Sequence, residues 1–245
     1  MTDHPSYPFP IIREVICEIH FRLSAEWDNA IYSEYFKTVE EQFPTFQPVT
    51  VVVEFKPNTD GANVLVPQVI RYQHKSRTLV LQLSENRISV NILSAYPGWA
   101  QVKKDVEFAW NKLRALIKPV EVSRIGLRYI NSIEKGSKSE TLGRWIHSTD
   151  YIPKAALSSV QGFVCQTSTH LDDYNLMQVI VADQPPSTGS NGMFIIDIDR
   201  ITENIVGTET ESLVAQAQIL HDDIWGAFSA AKSEDLEKLL SGELL

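Results

Sequence analysis

The residues best placed to do chemistry lie on alternating positions of apolar runs. Glu14, Glu18, His20 and Arg22 share one parity, while Val15, Cys17, Ile19, Phe21 and Leu23 share the other. Farther along, Arg124 and Arg128 alternate with Ile125, Leu127 and Tyr129, and Asp197 and Asp199 share the parity of a third apolar run. Successive strand residues project to opposite faces, so each set occupies one face of its own strand. Should those faces coincide, two guanidinium groups meet several carboxylates and an imidazole. Such a group is suited to bidentate capture of a phosphate or carboxylate. With Glu14, Glu18 or Asp197 as metal ligand or base, it is also suited to acting on a nucleotide or phosphate compound. The same alternation equally describes cross-strand ion pairs on a solvated sheet face, each worth about 0.2–1 kcal/mol.

Other clusters carry less chemistry. Pro97-Gly98-Trp99 presents an aromatic ring at a helix start, either as an exposed recognition element or as a staple packed under the helix. Tyr129 and Asn131 either frame a ligand site, or serve as a core residue and a strand end. His170-Leu171-Asp172-Asp173 reads as turn chemistry, and in His221-Asp222-Asp223 consecutive helical residues do not share a face. No nucleophile elbow, glycine-rich phosphate loop or zinc-protease helix motif occurs, and lysines are too scarce on the polar strand faces for a triphosphate tunnel. Cys17 and Cys165 sit in strand-like runs as small buried hydrophobes and make no disulfide framework. No cofactor and no metal site are expected.

The elements that must position these groups follow from the period of the apolar pattern. Strands are expected at 14–23, 49–55, 68–74, 78–83, 87–93, 121–133, 162–170, 175–182 and 193–198. Between the first two, Trp27, Ile31, Tyr35, Val39 and Phe43 mark an amphipathic helix capped by Ser24 and ending before Pro44. A second helix runs from Trp99 to Ile117 and stops at Pro119. A long one runs from about Thr210 to Leu240, with a break marked by Ser233. Asn58-Thr59-Asp60-Gly61 is turn chemistry, 134–139 a polar surface loop, and 142–157 irregular with a helical turn. The fold class is therefore α+β: a large, twisted, mostly antiparallel sheet with two amphipathic helices and a long C-terminal helix. No linker divides it, so 1–245 reads as one domain, with a repeated order of elements that marks half-domains at 10–118 and 119–245.

The run Ile12-Arg13-Glu14-Val15-Ile16-Cys17-Glu18-Ile19-His20-Phe21, with Tyr96-Pro97-Gly98-Trp99 and Gly126-Leu127-Arg128-Tyr129-Ile130-Asn131, resembles a sporadically distributed family of uncharacterised bacterial proteins of about this size. Gly-Leu-Arg-Tyr-Ile-Asn is the most specific element, and His20 stands where the family usually has arginine. The resemblance implies no particular activity. Its patchy distribution points to accessory genes, such as defence or conflict modules.

Composition sets the outer limits. The 245 residues are 43% hydrophobic and 22% charged, ordinary globular values. A formal charge of −9 gives no long-range attraction to phosphate backbones, so nucleic acid is not an expected partner. No leader or membrane span is visible, and the chain reads as cytoplasmic. The functional expectation is a non-catalytic binding or regulatory protein acting through a protein partner or a small anionic ligand at Glu14, Glu18, His20, Arg124, Arg128, Asn131, Asp197 and Asp199. A homodimer is compatible with it. The alternative is an enzyme acting on a nucleotide or phosphate compound through the same Arg/carboxylate face.

Overall fold

Alternation at the start of the chain becomes an 11-residue strand whose every second side chain is buried, from Val15 through Phe21. In the computed structural model, residues 4, 7–49, 69–158, 162–185, 191–204 and 207–244 are described. Their elements run β1 (Ile12–Arg22), α1 (Ala30–Val39), β2 (Thr45–Val49), β3 (Val69–Gln73), β4 (Leu79–Ser84), β5 (Arg87–Leu93), α2 (Trp99–Ile117), β6 (Glu121–Glu134), α3 (Lys154–Leu157), β7 (Val164–His170), β8 (Asn175–Gln184), β9 (Met193–Thr202), α4 (Thr210–Ala231) and α5 (Glu234–Ser241). The strands form one nine-stranded sheet in the order β2-β3-β4-β5-β1-β6-β9-β8-β7, antiparallel at every pairing. The fold is α+β, as the pattern of periods requires.

The order is symmetric about the central β1–β6 pair. β1 is flanked by β5, the last strand of the first meander, and β6 by β9, the last strand of the second. Each meander then leads into a long helix, α2 or α4, that returns across the sheet. The buried residues of α1, α2 and α4 form one apolar cluster with Val15, Cys17, Ile19 and Phe21 of β1 and with Ile125, Leu127 and Tyr129 of β6. Fully burying an aliphatic or phenylalanine side chain contributes about 1.5–3 kcal/mol. A one-residue slip of β1 would trade those side chains for Glu14, Glu18 and His20, so the pattern fixes the register.

Several expectations shift in detail. α1 begins at Ala30, with Asn29 rather than Ser24 at its cap position. The second strand lies at Thr45–Val49, and the expected strand residues 50–55 and the Asn58–Gly61 turn fall outside the described residues. The C-terminal helix does break at Ser233. Lys232 leaves helical geometry, and the Ser233 hydroxyl accepts the Leu236 amide at 3.2 Å to cap α5. The stretch read as a polar surface loop after β6 holds a buried lysine: Lys135 Nζ lies 3.1 Å from Asp183 Oδ2, with both side chains 3% exposed. No described helix is long and apolar enough to cross a membrane.

Candidate functional site

The sheet's two faces gather two separate constellations. On the face opposite the helix-packed residues of β1 stand Glu14, Glu18 and His20, joined by Arg87 and Asn91 of β5, Arg124 and Arg128 of β6, and Asp197 and Asp199 of β9. Registers Glu18↔Ser89, Glu18↔Gly126, His20↔Arg124 and Arg128↔Asp199 bring them side by side. Seven of the expected site residues therefore do share one face. Gly126 lies between Glu18 and Asp199, and a methyl group on it would stand 3.9 Å from Asp199 Oδ1 and 4.0 Å from Glu18 Cβ.

Charge on this face is largely consumed internally. Arg128 grips Asp197 through two parallel bonds, Nε to Oδ1 at 2.8 Å and Nη2 to Oδ2 at 2.5 Å. Glu18 accepts from His20 at 2.6 Å and from Arg87 at 3.0 Å, and Asn91 donates to Glu14 at 3.2 Å. Burial works against ionisation of Glu18, but the His20 hydrogen bond and the charges of Arg87 and Arg124 outweigh it and hold the carboxyl below its usual range. Arg124 is the loosest member. Its Nη1 sits 3.5 Å from Glu18 and 3.4 Å from His20, and its buried Nε has no hydrogen-bond partner among the described residues. Asp199 is the other odd group: burial, with Asp197 and Glu18 nearby, pushes its carboxyl up to about 6 although Arg128 and Arg124 pull the other way.

Asn131, the eighth expected residue, points to the helix side. Its parity is that of Tyr129, and a bulge between Ile12 and Glu14 sets it opposite Ile12. Its Nδ2 donates to the Ile196 carbonyl at 3.1 Å. There it lines a cavity of about 470 Å³ bounded by the N-terminal segment, the start of α2, β6 and one face of α4. Tyr7, Tyr96, Trp99, Tyr129, Trp225 and Phe228 supply its aromatic walls. A volume of this size, with aromatic walls that also carry polar groups, is that of a small-molecule site.

Local backbone explains how the rings arrive. Between β5 and α2, Ser94 and Ala95 adopt left-handed φ of 44° and 50°, and Gly98 has φ 88° and ψ 152°, a region that only glycine enters at low cost. This reversal directs Tyr96 at Tyr129, phenol oxygens 3.3 Å apart, and starts α2 at Trp99. Tyr129 in turn meets His221 Nδ1 at 3.2 Å, and Trp99 stacks on the His221 ring at 4.3 Å. Burial, seconded by His4, lowers His221 to about 4, so its imidazole is neutral at pH 7. The Tyr96 phenol, also buried, is pushed up to about 12.

Polar groups at the rim are mostly engaged. Gln218 accepts from Trp99 Nε1 at 2.8 Å and from Lys103 Nζ at 3.0 Å, then donates to Asp222 at 2.8 Å. His4 reaches Asp222 at 2.7 Å and stacks on Trp225, while Tyr7 donates to Glu237 at 2.8 Å. Comparison with known protein families and with curated proteins returns no match.

Sequence reasoning selected Tyr129, Asn131 and Trp99 without joining them, and passed over Lys103, His221 and Trp225 as site residues. The available signal lay in α4, where Gln218, His221 and Trp225 follow one another at helical spacing within an otherwise apolar stripe. The three residues of His221-Asp222-Asp223 do diverge. The first faces the cavity, the second meets His4, and Asp223 holds Arg200 at 2.8 Å. Asp172 is turn chemistry, accepting the Tyr174 amide at 2.8 Å.

Proposed function

We propose that the protein is a non-catalytic binding protein that holds a small ligand in the aromatic cavity between α2, α4 and β6. The carrying observation is convergence: Tyr96 and Trp99, Tyr129 and Asn131, and His221 come from three distant stretches of chain to line one hollow. Its interior is poorly suited to proton transfer at neutral pH, since Tyr96 and His221 are shifted in opposite directions away from 7. It is well suited to enclosing a flat ring, because aromatic neighbours favour stacked and edge contacts.

Titration with 2-naphthol and with 2-naphthoate tests this reading. At least one should quench tryptophan fluorescence saturably and raise the melting temperature. Ala100 is exposed at the cavity mouth, and Ala100→Phe should abolish both effects while melting like the wild type. Failure of both compounds to saturate would overturn the assignment.

One observation favours a second reading, an enzyme acting on a phosphate compound on the opposite face. Asp199, at about 6, is poised for proton transfer near neutral pH, beside Arg124, whose Nε has no hydrogen-bond partner among the described residues. Support is weakened by Arg128, already committed to Asp197. Pyrophosphate with magnesium should then raise the melting temperature of the wild type and not of Arg124→Gln; no shift in either counts against it.

A further inference from the structure

We infer that the ligand of the aromatic cavity is a small aromatic carboxylate, its ring between the aromatic walls and its charge against Lys103. The inference rests on the cavity being a binding site, and adds which chemical class enters it.

The argument starts from how this chain treats its cations. In a protein of formal charge −9, carboxylates outnumber lysines and arginines, and most half-buried cations have one as a partner; Lys112, which lies over Phe108 and does not line the cavity, is an exception. Arg77, Arg87, Arg128, Lys135, Arg200 and Lys232 each sit within ion-pair distance of a carboxylate. Lys103, half-buried on α2 at the cavity, does not. Its hydrogen-bond partner is the neutral Gln218 Oε1, at 3.0 Å, and no carboxylate among the described residues lies within ion-pair distance. An ammonium carries three donors, so at least two remain for an incoming acceptor.

Placement couples that charge to a ring. Lys103 Nζ lies 5.9 Å from the centre of the Trp99 ring, whose face is stacked on His221. A carboxylate held at Lys103 therefore lies beside the Trp99 ring. Deeper in, the Tyr96–Tyr129–His221 chain presents neutral groups that satisfy one another, so the interior accepts an uncharged ring and disfavours a second charge. A single ammonium with no arginine fork beside it suits one monovalent carboxylate better than a dianionic phosphate, which calls for several convergent donors.

Affinities of 2-naphthoate, 2-naphthamide and 2-naphthylmethylamine, measured by calorimetry at pH 7.5 on wild type and Lys103→Met, test the class. The acid should bind the wild type about tenfold more tightly than the isosteric amide, and the amine more weakly than either. Lys103→Met should bring acid and amide to equal affinity. Its melting temperature should fall only slightly, because among the described residues the side chain loses one hydrogen bond to Gln218 and no ion pair. Equal affinities in the wild type, or a preference for the amine, would overturn the carboxylate assignment and leave the cavity standing as a site. An acid preference that survives Lys103→Met would overturn the role of Lys103. Absence of binding by all three would overturn the class and the cavity together.

Discussion

The two faces of the sheet use similar inventories to opposite ends. On the polar face, Arg87, Arg124 and Arg128 meet Glu14, Glu18, Asp197 and Asp199, and the strongest contacts run between neighbours in the sheet. On the helix side, fewer ionisable groups surround a hollow, and Lys103 there has no carboxylate within ion-pair distance among the described residues. Abundant charge is thus a poor guide to a ligand site, because opposite charges set side by side neutralise each other first. What marks a site is charge that the fold leaves unanswered beside space. If that distinction holds, removing a cation should cost more stability where a carboxylate answers it than at Lys103, whose hydrogen-bond partner is the neutral Gln218.

The largest effect is expected at Lys135. Its ammonium and the Asp183 carboxylate are both 3% exposed, and Asp183 also accepts the Gly162 amide at 3.1 Å. Lys135→Met leaves that carboxylate buried and uncompensated, a loss of about 3–5 kcal/mol in chemical denaturation. Lys103→Met, on the same side of the sheet, should cost about 1 kcal/mol or less, the worth of its hydrogen bond to Gln218. Comparable losses for the two lysines would break the contrast.

Arg128 comes next. Its partner Asp197 is 7% exposed while its own side chain is 38% exposed, so water compensates part of the loss. Arg128→Ala should cost about 1–3 kcal/mol, read as a lowered denaturation midpoint at unchanged slope. A neutral result would show that the bidentate pair is worth no more than a surface ion pair, reopening Arg128 as a ligand anchor.

How much of this was legible follows from which signals are local. The two-residue period of β1 and β6 fixes which side chains share a face, so Glu18, His20, Arg124 and Arg128 could be grouped in advance. The same parity puts Asn131 with Tyr129 on the other face. The partners of the arginines were not legible, since Arg128 bonds diagonally to Asp197 although its direct neighbour in register is Asp199. Lys135 looked like a loop residue because a run of polar neighbours hides one side chain turned inward. The cavity was hardest of all, because it needs the packing of α4 against β6, a contact between stretches far apart in sequence.

Asp199 and His221 give the two faces opposite acid responses. Folded, Asp199 titrates at about 6 against about 3.9 in an unfolded chain, so between those values the folded state binds more protons. The stability it lends is full below about pH 4 and is lost as pH rises through 6. His221, at about 4 folded against about 6.5 unfolded, lends stability that is full above 6.5 and lost as pH falls toward 4. Their slopes oppose each other across pH 4.5–6, each reaching at most about 1.4 kcal/mol per pH unit. Asp199→Asn should raise stability at pH 7 by roughly 1 kcal/mol after allowance for solvent, and should expose a steeper loss on acidification. His221→Gln should flatten or reverse that loss. Parallel pH profiles for both variants would contradict burial as the cause that raises the carboxyl and lowers the imidazole.

The smallest effect sharpens the comparison at the chain reversal that precedes the cavity residues Tyr96 to Ala100. Ala95 holds a left-handed φ of 50°, which costs a residue with a β-carbon roughly 1 kcal/mol, and Ser94 beside it shares the same region. Nothing on the polar face pays such strain among the described strands, whereas this reversal sets Tyr96 against Tyr129 and lets α2 begin at Trp99. Glycine occupies that region freely, and part of its gain is offset by the greater freedom of the unfolded chain. Ala95→Gly should therefore stabilise by about 0.5–1 kcal/mol in thermal and denaturant melts. A loss of stability instead would mean that the Ala95 side chain contributes packing at the rim, and that the rings are held there by contacts and not by an imposed backbone turn.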